Sequence, residues 1–208
     1  DLIAAEDTRR TAKLLSHFGI STRTISFHEH NSRQRLPALM RELKAGRTVA
    51  LVSDAGTPLL SDPGLELVVA CVSSGIRLEP IPGASAAMTL AVISGFNLNP
   101  WTIYGFPPHT GKARGVWFKD LSIISHTVTF LESPHRLYDC LEQLNKISVS
   151  RPIVIGRELT KVHQSIYRGT PSELLSSHIE ARGEFSVMLG PISISPEPIK
   201  IPTDEEIA

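Results

Sequence analysis

Five short clusters hold most of the residues able to do chemistry. Ser53-Asp54-Ala55-Gly56-Thr57-Pro58 sets one carboxylate among small residues that allow tight turns and close approach of backbone to a ligand. Glu132-Ser133-Pro134-His135-Arg136 and Arg157-Glu158-Leu159-Thr160-Lys161 bring acids and bases together, as proton transfer or structural ion pairing would require. Glu6-Asp7-Thr8-Arg9-Arg10 packs two carboxylates against two guanidiniums, and fits a charged helix start equally well. The fifth is His28-Glu29-His30-Asn31. On a strand His28 and His30 would face one side, a geometry some metal sites use. No CxxC, HExxH or DxD completes a ligand set, so a polar or RNA-facing loop is the better reading and no metal is expected.

The elements that must position these clusters follow from apolar patterning. Gly46 to Gly64 is the organising stretch: Thr48 to Val52 reads as a buried β-branched strand running straight into the Ser53–Pro58 loop. The turn signal Ser61-Asp62-Pro63-Gly64 and a helix over Leu65 to Ser74 come next. Strand, small-residue loop, helix is where open α/β sheets take ligands. The loop is neither GxGxxG nor a Walker loop, so dinucleotide and ATP phosphates are not the first expectation. Asp1 to Ala5 reads as the end of a strand, followed by a helix capped by Thr8 or Asp7 and stopped by Gly19. Thr24 to Phe27 reads as a strand delivering His28. Asn31 to Lys44 reads as an amphipathic helix with Leu36, Leu39, Met40 and Leu43 on one face. Its polar side carries Arg33, Arg35 and Arg41, either solvated or placed for phosphate contact. Ile76 to Pro80 is expected to be a strand, and Pro82-Gly83-Ala84-Ser85-Ala86 a turn opening a helix to about Ser94.

Trp101 to Phe106 reads as a strand, and the stiff Pro107-Pro108 pair marks the expected domain boundary. The expected organisation is therefore α/β, with domains at 1–106 and 107–192 and a Pro-rich tail at 193–208. In the second half, helices are expected over Lys112–Leu121, Leu137–Asn145 and Ser172–Glu180. Strands are expected over Thr127–Leu131, Pro152–Gly156 and Phe185–Leu189.

Lys plus Arg and Asp plus Glu both count 21, which argues against a strongly cationic surface overall but leaves room for a local basic patch. Cys71 and Cys140 sit in apolar helical stretches without a pairing pattern, so reduced core thiols are expected. No apolar run is long enough to cross a bilayer, and no membrane association is expected. The chain opens at Asp1 inside an apolar strand, so a preceding segment is expected, and any targeting peptide would lie there.

Taken in order, EDTRR, SFHEHN, VALVSDAGTPLLSDPG, PIPGASAAMTLAVISGF, GFPP, FLESPHRL, RELTK and GEF resemble the small-subunit ribosomal RNA methyltransferase I family, over about residues 1 to 190. That family belongs to the tetrapyrrole methylase superfamily. The resemblance implies two α/β domains with S-adenosylmethionine in the cleft between them, and 2′-O-methylation of a cytidine in 16S-type rRNA. It implies cofactor contacts from Asp54, Ala55, Gly56, Thr57, Pro58, Pro82, Gly83, Ser85, Ala86, Phe130 and Leu131. RNA contacts would come from Arg9, Arg10, His30, Asn31, Arg33 and Arg136, and a base, if used, from Lys161, Glu132 or His28. A homodimer is implied, in the cytoplasm, with an organelle as the alternative for a eukaryotic source. The family's opening strand and TPIGN-like loop are missing here, and Gln164 stands where the family usually has glutamate. Three other readings are kept: an impaired homologue or fragment that still binds rRNA or the ribosome, a methyltransferase of this fold acting on a tetrapyrrole or other small molecule, and a metal hydrolase built on His28 and His30.

Overall fold

Two separate sheets organise the chain in the computed structural model, which describes residues 1–148 and 150–192. The Pro-rich tail expected at 193–208 lies outside the described residues. The chain divides into two compact units, Asp1–Thr89 and the residues from Leu90 onward. The division falls ahead of the boundary expected at Pro107, because the strand at Trp101–Ile103 is hydrogen-bonded into the second sheet.

In the first unit β1 (Leu2–Ala5), α1 (Thr8–His17), β2 (Thr24–Ser26), α2 (Ser32–Lys44) and β3 (Val49–Val52) form successive parallel crossovers, with strand order β2-β1-β3. Asp7 caps α1 by accepting from Arg9 N at 2.8 Å, and Gly19 ends the segment at φ +65°. Leu2, Ala4, Phe27, Leu39, Leu67 and Cys71 make the core, with Leu36, Met40 and Leu43 of α2 packed against it. The helix expected after the central loop is present as α3 (Leu65–Ser73). Gly64, at φ +137°, precedes it where an added Cβ would lie 2.6 Å from Leu51 Cδ2, so glycine is required there.

Ile76–Pro80 is not a strand. Ile76 N donates to Cys71 O as part of the α3 C-terminus, and among the described residues β3 pairs only with β1. A strand needs a ladder, and this segment has none. The same geometry leaves the apolar residues of β3 half-exposed on an edge, where the sequence reads as a strand buried on both faces.

α4 (Ala86–Ser94) crosses the division. The second unit then holds β4 (Trp101–Ile103), α5 (Gly111–Ser122), β5 (Thr127–Glu132), α6 (Leu137–Ile147), β6 (Ile153–Arg157), β7 (Ser165–Gly169), α7 (Pro171–Ser176) and β8 (Phe185–Leu189), in the order β4-β5-β8-β6-β7. β4 and β5 are parallel and the remaining pairs antiparallel. The period of two sends Val128, Phe130, Ile153, Ile155 and Val187 to a core shared with α5 and α6, and Val154 and Met188 to one shared with Leu90 and Ala91. Both cysteines are free and buried, and burial pushes the Cys140 thiol well above its ordinary value. β7 is a strand the sequence pattern did not reveal. The helix expected over Ser172–Glu180 is shorter, opening with a capping box in which Thr170 and Glu173 exchange hydrogen bonds.

Candidate active site

The strand order β2-β1-β3 places a topological switch point between β1 and β3, where the chain leaves first to one side and then to the other. Open α/β sheets bind ligands at the carboxyl ends of strands at such a point. Two loops meet there. Glu6 N donates to Val52 O at 3.0 Å, continuing the ladder past the last strand residue. Glu6 Oε2 then accepts from Asp54 N at 2.9 Å, and Asp54 Oδ1 accepts from Asp7 N at 3.2 Å. Arg10 Nε adds an ion pair to Asp54 Oδ2 at 3.4 Å. The hydrogen bonds and charge of Arg9 hold the Asp7 carboxyl well below the usual carboxylate range. The clasp formed by Glu6 and Asp7 on Asp54 was hidden from the sequence, since 47 or 48 residues separate the partners.

Beyond the clasp the loop turns through Gly56 at φ +73°, and Ser53 Oγ donates to Ala55 O and Gly56 O at 3.4 Å. Thr57 Oγ1 donates to Ala84 O at 3.1 Å, so the Ser53–Pro58 and Pro82–Ala86 segments expected to act together are joined directly. Ser85 Oγ accepts from Met88 N at 3.4 Å, fastening the start of α4. Asp54, Ala55, Gly56, Pro82, Gly83 and Ala84 are exposed. These small residues leave backbone N–H and C=O groups open beside one carboxylate, an arrangement that suits a ligand with charged and hydrogen-bonding ends.

At the end of β2, Asn31 folds back on its own loop. Its Oδ1 accepts from His28 N at 2.9 Å, and its Nδ2 lies 3.1 Å from Ser26 Oγ and 3.2 Å from His28 Nε2. Asn31 is thus a loop brace. His30 is exposed and meets His28 edge-on, while Arg9, Arg10 and Arg33 are exposed cations on the same unit. Among the described residues no group of three or more His, Cys, Asp or Glu could hold a metal, so the hydrolase reading has no ligand set.

In the second unit several expected site residues serve the core. Phe130 is fully buried and packs edge-on against Trp117, so its side chain lines no open surface; Leu131 beside it is half-buried. Glu132 is 1% exposed and is held by Arg114 Nη2 and Arg136 Nη2, both at 2.9 Å, and by Ser133 N at 2.8 Å. Arg136 is thereby withdrawn from the RNA-facing role expected of it. Arg114 also reaches Asp139 and Pro108 O, and the only trace of it in the sequence is a cation amid an apolar helical stretch. Lys161 Nζ lies 2.7 Å from Glu184 and 3.0 Å from Glu158. Burial lowers its pKa, but the two carboxylates outweigh burial and the net shift is upward. The lowered value that a lysine base would need is therefore absent. Gln164 Oε1 accepts from Thr160 N at 2.7 Å, so at this position an amide closes the turn without a negative charge.

Residues 1–175, spanning parts of both units, match the family of tetrapyrrole (corrin/porphyrin) methylases. The chain belongs to the tetrapyrrole methylase family. Among relatives of this chain, the ribosomal RNA small subunit methyltransferase I of Halalkalibacterium halodurans is 45% identical over 191 residues. That match covers 91% of the chain and spans only 66% of the relative's own length. Two solved structures share the fold. Diphthine synthase aligns with TM-score 0.66 at 12% identity, covering 91% of this chain and 79% of that one. The uroporphyrin-III C-methyl transferase of Thermus thermophilus, complexed with S-adenyl homocysteine, aligns with TM-score 0.59 at 15% identity, covering 92% and 85%. No helix among the described residues is long and apolar enough to cross a membrane.

The Lys161 cluster has a definite pH signature. Lys161 is raised above its ordinary 10.5, so its contribution is complete below that value and is lost as pH rises through the folded value. Glu158 is lowered from 4.5, first by its hydrogen bond from Lys161, so its contribution is complete above 4.5 and is lost as pH falls through the folded value. Lys161→Met is expected to lower the thermal midpoint at pH 7 and to lower it less at pH 3. An equal loss at both pH values would show that the cluster is not what the substitution removed.

Proposed function

We propose that this chain carries the site of an S-adenosylmethionine-dependent methyltransferase that modifies a cytidine 2′-hydroxyl in small-subunit rRNA. The observation that carries this reading is the 45% identity to a ribosomal RNA small subunit methyltransferase I across 91% of the chain. The exposed, mutually fastened loops Asp54–Pro58 and Pro82–Ala86 suit the cofactor, offering open backbone groups at the switch point. In this reading Arg9, Arg10, His30 and Arg33 hold RNA phosphates. The protein acts as a homodimer on the small ribosomal subunit in the cytoplasm.

When bound, S-adenosylmethionine supplies a methyl group on a sulfonium. The residues of this chain then hold the ribose oxygen in line with that methyl, and positioning accounts for much of the rate. Glu132 and Lys161 are engaged in ion pairs. His28 makes no ion pair, but its Nε2 faces the Asn31 amide at 3.2 Å and its Nδ1 is buried, so the proton-acceptor role is assigned to none of the three. The test is calorimetric titration with S-adenosylmethionine, followed by methyl transfer to 30S subunits read by alkaline hydrolysis. A 2′-O-methyl protects its phosphodiester, whereas a base methyl does not. Cofactor binding without transfer to 30S, but with transfer to a tetrapyrrole, would favour the small-molecule reading. Binding of 30S without transfer would favour the impaired homologue.

A further inference from the structure

We infer that Glu6 is a positioning residue for the cofactor loop, not an RNA contact; this inference rests on the cofactor reading above. Glu6 sits one residue past β1, where the motif Glu6-Asp7-Thr8-Arg9 would otherwise be taken as one charged surface. Its backbone N–H is fixed by Val52 O at 3.0 Å, and its carboxylate reaches across the switch point to Asp54 N at 2.9 Å. Asp54 answers by accepting Asp7 N at 3.2 Å. Each strand end thus holds the other through one backbone donor and one side-chain acceptor. The clasp fixes the direction in which the chain leaves β3. The next residues are the ones that turn through Gly56 and reach Ala84 by way of Thr57. Without Glu6 the Asp54 amide loses its charged acceptor, and the loop samples directions that do not present its backbone to the ligand. Arg9 and Arg10 pair with Asp7 and Asp54 but stay 88% and 65% exposed in their side chains, where RNA can reach them.

The experiment titrates S-adenosylmethionine calorimetrically into wild type, Glu6→Gln, Glu6→Asp and Glu6→Ala, and follows amide exchange at Asp54 and gel-shift affinity for a 16S rRNA fragment. Glu6→Gln keeps an acceptor oxygen at the same reach and is expected to bind nearly as wild type. Glu6→Asp keeps the charge but retracts the oxygen by one methylene, and Glu6→Ala removes it. Both are expected to bind the cofactor about fivefold more weakly, as for one lost hydrogen bond, with faster Asp54 exchange. RNA affinity without cofactor should stay within about twofold of wild type, a smaller change than one hydrogen bond would produce. Wild-type cofactor affinity and exchange in Glu6→Asp would overturn the inference while leaving the cofactor reading intact. So would RNA affinity that falls alone. No measurable binding by wild type would overturn the cofactor reading and the inference with it. Should Glu6→Ala fail to fold, the Gln and Asp variants give the same decision.

Discussion

Glu132→Ala is expected to destabilise the folded chain by about 3–5 kcal/mol, the usual result of removing one partner from a buried ion pair. The reason is local. The Glu132 side chain is fully buried, and the guanidiniums it holds are 7% exposed in Arg114 and 16% exposed in Arg136. Without the carboxylate, Arg136 keeps only Ser133 Oγ, and its Nη1 already has no partner. Arg114 retains Asp139 and Pro108 O, so it is the less affected of the two. The thermal midpoint should fall on the order of 10 °C for a chain of this size. Glu132→Gln should fall less, since the amide oxygen still accepts one guanidinium. The measurement also separates two roles for this residue. A catalytic base would lose methyl transfer with its midpoint unchanged, and that outcome would return Glu132 to the reaction. A large loss of midpoint in Glu132→Ala assigns it to the fold.

Much of the fold was legible because local apolar patterning and tertiary context agree over most of the chain. Phe185–Leu189 is a strand at the residues expected, since alternate side chains feed two apolar cores. α2 shows the stripe of Leu36, Leu39, Met40 and Leu43 that its periodicity implies. Legibility fails where a strand depends on its neighbour. Ile76–Pro80 has strand-like alternation and no ladder to join, whereas Ser165–Gly169 has serine, arginine and glycine in its favour least of all, yet is held by β6 along its whole length. The domain division moved for the same reason, as the β4–β5 pairing outweighs the Pro107-Pro108 signal.

In the site, residue types were legible and partners were not. Glu132 with Arg136 and Glu158 with Lys161 are four and three residues apart, so those pairs lie within reach in the sequence itself. Arg114 and Glu184 enter the same two clusters from 18 and 23 residues away, and their entry turns two candidate bases into members of ion-pair networks. The Glu6–Asp54 clasp is of the same kind, created by parallel pairing of β1 with β3.

Gly56→Val is expected to weaken S-adenosylmethionine binding about five- to thirtyfold, because it adds strain of about 1–2 kcal/mol at the turn that shapes the cofactor loop. Gly56 lies at φ +73°, a region a β-branched residue avoids. The added Cβ would itself stand 3.5 Å from Ala84 O, an ordinary contact, so the penalty is conformational and not a clash. The loop can relieve it only by leaving the left-handed region. That movement pulls Thr57 away from Ala84 O and uncouples the two segments proposed to hold the cofactor. Because Gly56 is exposed, the thermal midpoint in the absence of cofactor should change little, and calorimetric affinity should carry nearly the whole effect. Gly56→Asn is the deciding control, since asparagine enters the left-handed region with less penalty and should recover most of the affinity. If asparagine and valine weaken binding equally, bulk at this position, and not backbone direction, governs the loop, and the cofactor would have to lie against the Gly56 α-carbon itself.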